Sequence, residues 1–176
     1  MKKKTNIKWL INIVLISVAA SVLFTLASTE ILGRAGYFIA FLILFIFIVI
    51  GIIFDIIGIA VTTATPAPFN SMAAHKEFGA AQALWLTKNA DKVSNFCCDV
   101  VGDVAGIVSG STAALVAARL MQSLSLENIL LQLLISGVVT GLTIGGKAFG
   151  KTFAFNNSTK IVLRTGKIIS FFTAGK

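Results

Sequence analysis

From its N-terminus the chain alternates long apolar runs with short polar connections, and that alternation predicts its elements. Met1–Lys8 carries Lys2, Lys3, Lys4 and Lys8, and Trp9 to Ala27 is then almost wholly apolar. A basic start before an apolar run also marks a secretory signal. This run is long for one and no A-x-A site follows, so a retained span over about 9–27 is expected. STEILGRAG (28–36) is a polar connection. The strongest run, Tyr37 to about Thr62, contains one charge, Asp55. At 1.5 Å of rise per residue it crosses about 30 Å of hydrocarbon with some tilt. TATPAPF (63–69) breaks it, because Pro66 and Pro68 lack donors and disfavour helix before them.

The interior is most polar over Asn70–Asp91. Within it, 71–89 predicts one or two short amphipathic helices lying on the membrane surface, with Met72, Phe78, Ala83, Trp85 and Leu86 as apolar contacts. A third span is expected over about 93–120, then a turn at SLSLEN, then a fourth span over about 129–145. Lys147 and Lys151 place Gly145–Asn157 outside the membrane, and STKIVLRTGKIISFF (158–172) reads as a basic, amphipathic juxtamembrane helix. The expected fold is one all-α membrane domain with four transmembrane helices plus surface and juxtamembrane helices. Four spans put both termini on one side. Lysines 2, 3, 4, 8, 76, 88, 92, 147, 151, 160 and 167 and Arg164 share that side, against Arg34 and Arg119 opposite. By the positive-inside rule the termini of this multi-pass chain are cytoplasmic and its place is the cell membrane.

Composition agrees with the pattern. The 176 residues are 56% hydrophobic and 12% charged, with mean hydropathy +0.92, where a soluble domain carries about 25% charged residues. The net charge of +8 fits loops facing anionic cytoplasmic lipid, and no aromatic-plus-basic motif of a nucleic-acid-binding module accompanies it. Cys97 and Cys98 are adjacent within a span, which suits apolar packing rather than a disulfide or metal site. His75, the one histidine, reads as a solvated interfacial residue. No nucleophile–base pair is visible, so an enzyme is not expected.

The chemistry concentrates in KVSNFCCDVVGDVAGIVSGSTA (92–113). Asp99 and Asp103 lie one helical turn apart and share a face with Gly106 and Gly110. A carboxylate at bilayer depth costs about 2.5–3.5 kcal/mol on insertion scales, so two of them demand a polar partner, a cation or water. Ser94, five residues before Asp99, is roughly 140° round the wheel and joins that face only if the helix start is distorted. Asp55 in the preceding span is the third carboxylate. Oxygen donors without an imidazole or thiolate cluster suit a hard cation, Mg²⁺ above a soft transition metal. Hydrogen bonding of each aspartate to Ser or Thr, and a proton relay, remain alternatives. Gly102, Gly106 and Gly110 form one small-residue ladder and Gly137, Gly141 and Gly145 another, either of which suits close helix packing or a dimer seam. GGKAFGKT (145–152) fits the phosphate-loop pattern in letters, but a membrane helix precedes it where that loop needs a strand.

In order and spacing these segments resemble the transmembrane domain of the CorB/CorC and cyclin-M (CNNM) magnesium transporters. TPAPF (65–69) falls where that family breaks its first span with an S-E-T-A-L type motif. GAAQALWLTKNADKVS (79–94) resembles its G-x-x-x-A…L-x-x-N-P-D-x-x-L-S connector, and Ser94, Asp99 and Asp103 stand where it has a hydroxyl residue and two asparagines. GKTFAFNNSTKIV (150–162) is similar to its P-K-T-x-A…N-P-E-x exit. The resemblance implies a homodimer that binds and transports Mg²⁺. Ser94, Asp99 and Asp103 would line the pocket, with Thr63 and Thr65 from the broken span; Asp55 completes the candidate ligands. Aspartate for asparagine makes the implied pocket more anionic. Pro66 replaces the motif glutamate, and Lys147 stands where an acidic residue is expected. The 176 residues contain no paired CBS domains, so regulation would come from a separate cytoplasmic subunit. A non-transporting membrane scaffold of the same fold and a proton-coupled carrier are the alternative functions.

Overall fold

The computed structural model describes residues 7–34, 36–123 and 129–173; the Lys2–Lys4 start and all of the SLSLEN turn after Ser123, Glu127 included, lie outside them. The described chain is all-α, with no strand: α1 (Ile7–Arg34), α2 (Tyr37–Thr63), α3 (Pro66–Ala74), α4 (Ala80–Lys88), α5 (Ala90–Ser94), a π-helical segment (Asn95–Gly102), α6 (Asp103–Ser123) and α7 (Ile129–Thr173).

The breaks have local causes. α2 stops at Thr63, and Thr65 in extended geometry (φ −83°, ψ 144°) caps α3, whose first residue is Pro66. Proline suits that position, since its missing N–H would have no intrahelical partner. Gly79 starts α4 with φ +81°, a left-handed value that glycine adopts without a Cβ clash. α7 does not stop at Gly145, where the fourth span was expected to end. It runs on to a kink at Asn157 (φ −124°, ψ 21°), just before the expected juxtamembrane stretch. GGKAFGKT is therefore helical. Its backbone N–H groups do not form a phosphate cradle.

Three helical stretches are long and apolar enough to cross a membrane: Tyr37–Thr63, Ala90–Ser123 and Gln132–Thr173. The described apolar part of α1, Ile11–Ala27, is shorter. Large apolar side chains point outward, with Phe38 82% and Phe149 76% exposed. An aqueous domain seldom tolerates such a surface, whereas hydrocarbon is a suitable solvent for it.

The described residues divide into two compact units. The first unit holds α1, α2 up to Gly51, residues 100–123 and α7 up to Gly145. Here α1 lies along α6, Phe24 meets Phe47 edge-on at 5.8 Å, and buried Ala40 packs on Val116. Gly51 lets α2 come close to Ala105, at 3.3 Å from where a Cβ would stand.

The second unit holds α2 from Ile52, α3 to α5, the π segment up to Asp99, and α7 from Gly146. Its core joins Ala60, Val61 and Phe69 to Ala83 and Leu86 of α4 and to Ala154 and Val162 of α7. α2 and α7 run parallel in a fixed register. Gly146 meets Ile52, Gly150 meets Ile56, and Ala154 joins Ala60 in the core. Gly146 and Gly150 of α7 admit isoleucine side chains of α2, which in lipid replaces the absent hydrophobic effect with dispersion contact. Past the kink, Gly166 lies against Gly79 and Ala83, and Lys167 pairs with Glu77 at 3.5 Å on the exterior. Of the apolar contacts expected in this stretch, Ala83 and Leu86 are buried, Met72 packs against the core, and Phe78 and Trp85 are exposed.

Candidate functional site: an ion pair inside the spans

Asp55 stands one turn before Ile59 on the most apolar helix of the chain, and it is 5% exposed. Counted from Tyr37 it lies about 27 Å along α2, and Lys147 lies about 27 Å along α7 from Ile129. The parallel register brings the two together: Lys147 Nζ is 3.4 Å from Asp55 Oδ2, with the side chains 19% and 8% exposed. Gly146 and Gly150 flank the lysine as Ile52 and Ile56 flank the aspartate, so the charges meet where glycines of α7 receive isoleucine side chains of α2. The demand that an intramembrane carboxylate makes for a cation is met here by an ammonium on a flexible stem.

The other side of Asp55 faces the start of the third apolar helix. A Cβ on Gly58 would collide with Cys98 Sγ and stand 3.3 Å from the Ser94 carbonyl, so only glycine lets the two backbones come this close. Cys98 Sγ reaches the Asp55 carbonyl at 3.9 Å and Ser94 Oγ at 3.8 Å. Asp55 is thereby tied to α7 through its carboxylate and to the turn after Ser94 through its carbonyl.

That turn is π-helical over the eight residues Asn95–Gly102. Bonding from i to i+5 sets each residue over the one five positions on, where an α-helix would rotate it away. The sequence condition for Ser94 to join Asp99, a distorted helix start, is present, although the Ser94 hydroxyl itself faces Cys98. π-Helical turns are rare and concentrate at functional sites.

The remaining candidates are placed as follows. Asp99 is exposed and belongs to the same unit as Asp55; Asp103 is exposed and opens α6 in the other. Gly106 and Gly110 have open space where a Cβ would stand, as do Gly137, Gly141 and Gly145. Thr63 Oγ1 donates to the Ile59 carbonyl at 2.8 Å, and Thr65 is exposed with no capping bond from its side chain. Among the described residues no three or more His, Cys, Asp or Glu side chains converge as a metal-ligand group. Within its unit the structure thus gathers Asp55 and Ser94, and adds Cys98 and Lys147, which sequence reasoning had placed in packing and in a cytoplasmic connection. Lys147 had one available signal: it is embedded in TIGGKAFGKTFAF, an apolar and small stretch able to continue a span.

No family model, curated protein or solved structure matches this chain. The fold and site define an all-α chain with helices suited to a membrane and an ion pair between two of them.

Proposed function

We propose that this chain is a four-span membrane protein, homodimeric and with cytoplasmic termini, that binds a divalent cation and carries it across the cell membrane, with Mg²⁺ as the first candidate cargo. The observation that carries the reading is the buried Asp55 carboxylate, held beside a π-helical turn and balanced by the tethered ammonium of Lys147. An arriving cation competes with that ammonium for one carboxylate. Binding is thereby coupled to release of α7 from α2, a two-state element of the kind transport needs. The order of motifs that resemble those of the CorB/CorC and cyclin-M family supports Mg²⁺, with Ser94, Asp99, Asp103, Thr63 and Thr65 as further oxygen donors and CBS-type regulation supplied by a separate cytoplasmic subunit. The open space at Gly106 and Gly110 of α6 supports a second copy packing against that helix.

One observation favours a second reading. Gly146 and Gly150 lock the pair into a close crossing, as in a permanent clamp of a non-transporting scaffold. Thermal unfolding of the purified protein in MgCl₂ separates the two. The transport reading predicts that Mg²⁺ stabilises the protein, that Asp55→Asn and the double change Asp99→Asn/Asp103→Asn weaken the effect, and that Lys147→Gln raises apparent affinity about tenfold by removing the tethered competitor. Absence of any Mg²⁺-dependent stabilisation in both the unaltered protein and Lys147→Gln overturns it.

A further inference from the structure

The turn that ends α3 has a residue that its backbone does not favour. The Lys76 N–H donates to the Ala73 carbonyl and the Glu77 N–H to the Met72 carbonyl, each at 3.0 Å. That pair of bonds closes a helix with a left-handed residue just past its last turn, a position glycine commonly fills. Here the position is held by Lys76 at φ 55°, the one non-glycine residue with positive φ among the described residues. A Cβ at that φ crowds the following carbonyl, and glycine would avoid the cost. A strained residue kept at the surface points to a use for its side chain, and Lys76 is exposed.

This turn rests on the last part of α7. A Cβ on Gly79 would collide with the Lys167 backbone, one on Gly166 would collide with the Gly79 carbonyl, and Glu77 pairs with Lys167 at 3.5 Å. Phe78 lies between these contacts and is 54% exposed. On α7, Val162, Gly166 and Ser170 form the buried row, so the opposite row faces outward. That row carries Lys160 and Arg164, with Phe171 seven residues further on. Phe171 and Phe172 are 74% and 78% exposed and meet edge-on at 6.0 Å. Counted from Ile129, the kink at Asn157 follows about 42 Å of helix, more than the roughly 30 Å of hydrocarbon, which brings this end to the headgroups. The turn over 75–79 and the helix over 158–173 carry four Lys and Arg against one carboxylate, Glu77.

We propose that this face, formed by Lys76, Phe78, Lys160, Arg164, Phe171 and Phe172, docks onto anionic phospholipid headgroups of the bilayer that holds the chain. The partner is matched in both of its layers. Phosphates accept hydrogen bonds from the ammonium and guanidinium groups, and the exposed rings enter the acyl boundary beneath them. An acidic protein would need an apolar patch of its own beside its carboxylates, whereas the membrane next to the kink supplies charge and hydrocarbon together. The proposal does not depend on the cation reading.

Thermal unfolding of the full chain in nanodiscs of phosphatidylcholine, titrated with phosphatidylglycerol, tests the site. The anionic lipid is expected to raise the midpoint, and high NaCl to remove most of that gain. Lys160→Gln/Arg164→Gln lowers apparent affinity for phosphatidylglycerol by about fivefold per cation removed. Phe171→Ser/Phe172→Ser lowers it as well. Lys76→Gly separates strain from use: its midpoint in phosphatidylcholine holds or rises, because glycine suits φ 55°, while its gain from phosphatidylglycerol falls. Lys88→Gln makes the same charge change about 14 Å along α4 from Gly79 and keeps the full gain. Midpoints in phosphatidylcholine within a few degrees of the parent show that the variants fold. An equal gain in parent and variants, or a loss in Lys88→Gln as large as in Lys160→Gln/Arg164→Gln, overturns the proposal. So does a Lys76→Gly midpoint below the parent's in phosphatidylcholine, or a dimer broken by Phe171→Ser/Phe172→Ser with no change in the lipid effect.

Discussion

Replacing Lys147 with methionine keeps most of the apolar stem of the side chain and removes its ammonium group. The chain contains its own comparison. Lys147–Asp55 and Lys167–Glu77 have nearly equal separations, 3.4 and 3.5 Å, but side-chain exposures of 19% and 8% against 44% and 42%. A pair as exposed as the second contributes about 0–1 kcal/mol. Removing one partner from a buried pair leaves an uncompensated charge and costs about 3–5 kcal/mol. At roughly 2–4 °C per kcal/mol for a chain of this size, Lys147→Met lowers the midpoint of thermal unfolding by about 6–20 °C, while Lys167→Met moves it by at most a few degrees. The double variant Asp55→Leu/Lys147→Met removes both charges and recovers most of the loss, since an apolar pair of similar volume is often neutral or better. Circular dichroism melts in nanodiscs, with the single and double variants arranged as a cycle, measure the coupling. A Lys147→Met midpoint equal to that of Lys167→Met, or a double variant as unstable as the two losses added, refutes the reasoning.

Two substitutions in the glycines extend the test to the packing. Gly150→Leu forces a side chain into Ile56, whose Cγ1 is 2.8 Å from where a Cβ would stand. It is expected to cost about 1–3 kcal/mol in the same melts, whereas Gly141→Ala adds a Cβ that meets nothing within 4 Å among the described residues and is not destabilising for the monomer. Gly79→Ala combines a left-handed backbone with a Cβ 2.6 Å from the Lys167 nitrogen. It loosens the contact of α4 with the end of α7, read as faster amide exchange over 80–88 and 160–170 than in the unaltered protein.

Much of the architecture was legible because apolar run length and proline position are local. The end of α2 near Thr62 and short helices within 71–89 follow from sequence alone, whereas α3 starts at Pro66, inside the stretch read only as a break. Four spans remain an expectation: three helices meet the length and hydropathy a crossing needs, and the described apolar stretch of α1 is shorter. The site was legible in half. Asp55 declared itself as a lone carboxylate in a run of isoleucine and phenylalanine, but its partner did not. The glycines and lysines after Ile144 lower hydropathy, and a span closed at Gly145 puts Lys147 in water. The α7 ladder that packs against α2 starts one residue past the end of the one chosen by spacing: Gly146, Gly150 and Ala154 rather than Gly137, Gly141 and Gly145. One residue is about 100° of helix rotation, and which of two adjacent small-residue rows faces inward is decided by the partner helix. The π-helical turn over Asn95–Gly102 has no proline or insertion to announce it; it lies where Gly58 brings α2 against Ser94 and Cys98.

Mg²⁺ entry into proteoliposomes, followed with an internal Mg²⁺ indicator, tests the central claim most directly. The account predicts Mg²⁺ flux through the unaltered protein and its loss in Asp55→Asn, with the variant still inserted and folded. Vesicles carrying correctly inserted protein that pass no more Mg²⁺ than empty vesicles, or an Asp55→Asn variant that transports as well as the parent, would contradict it.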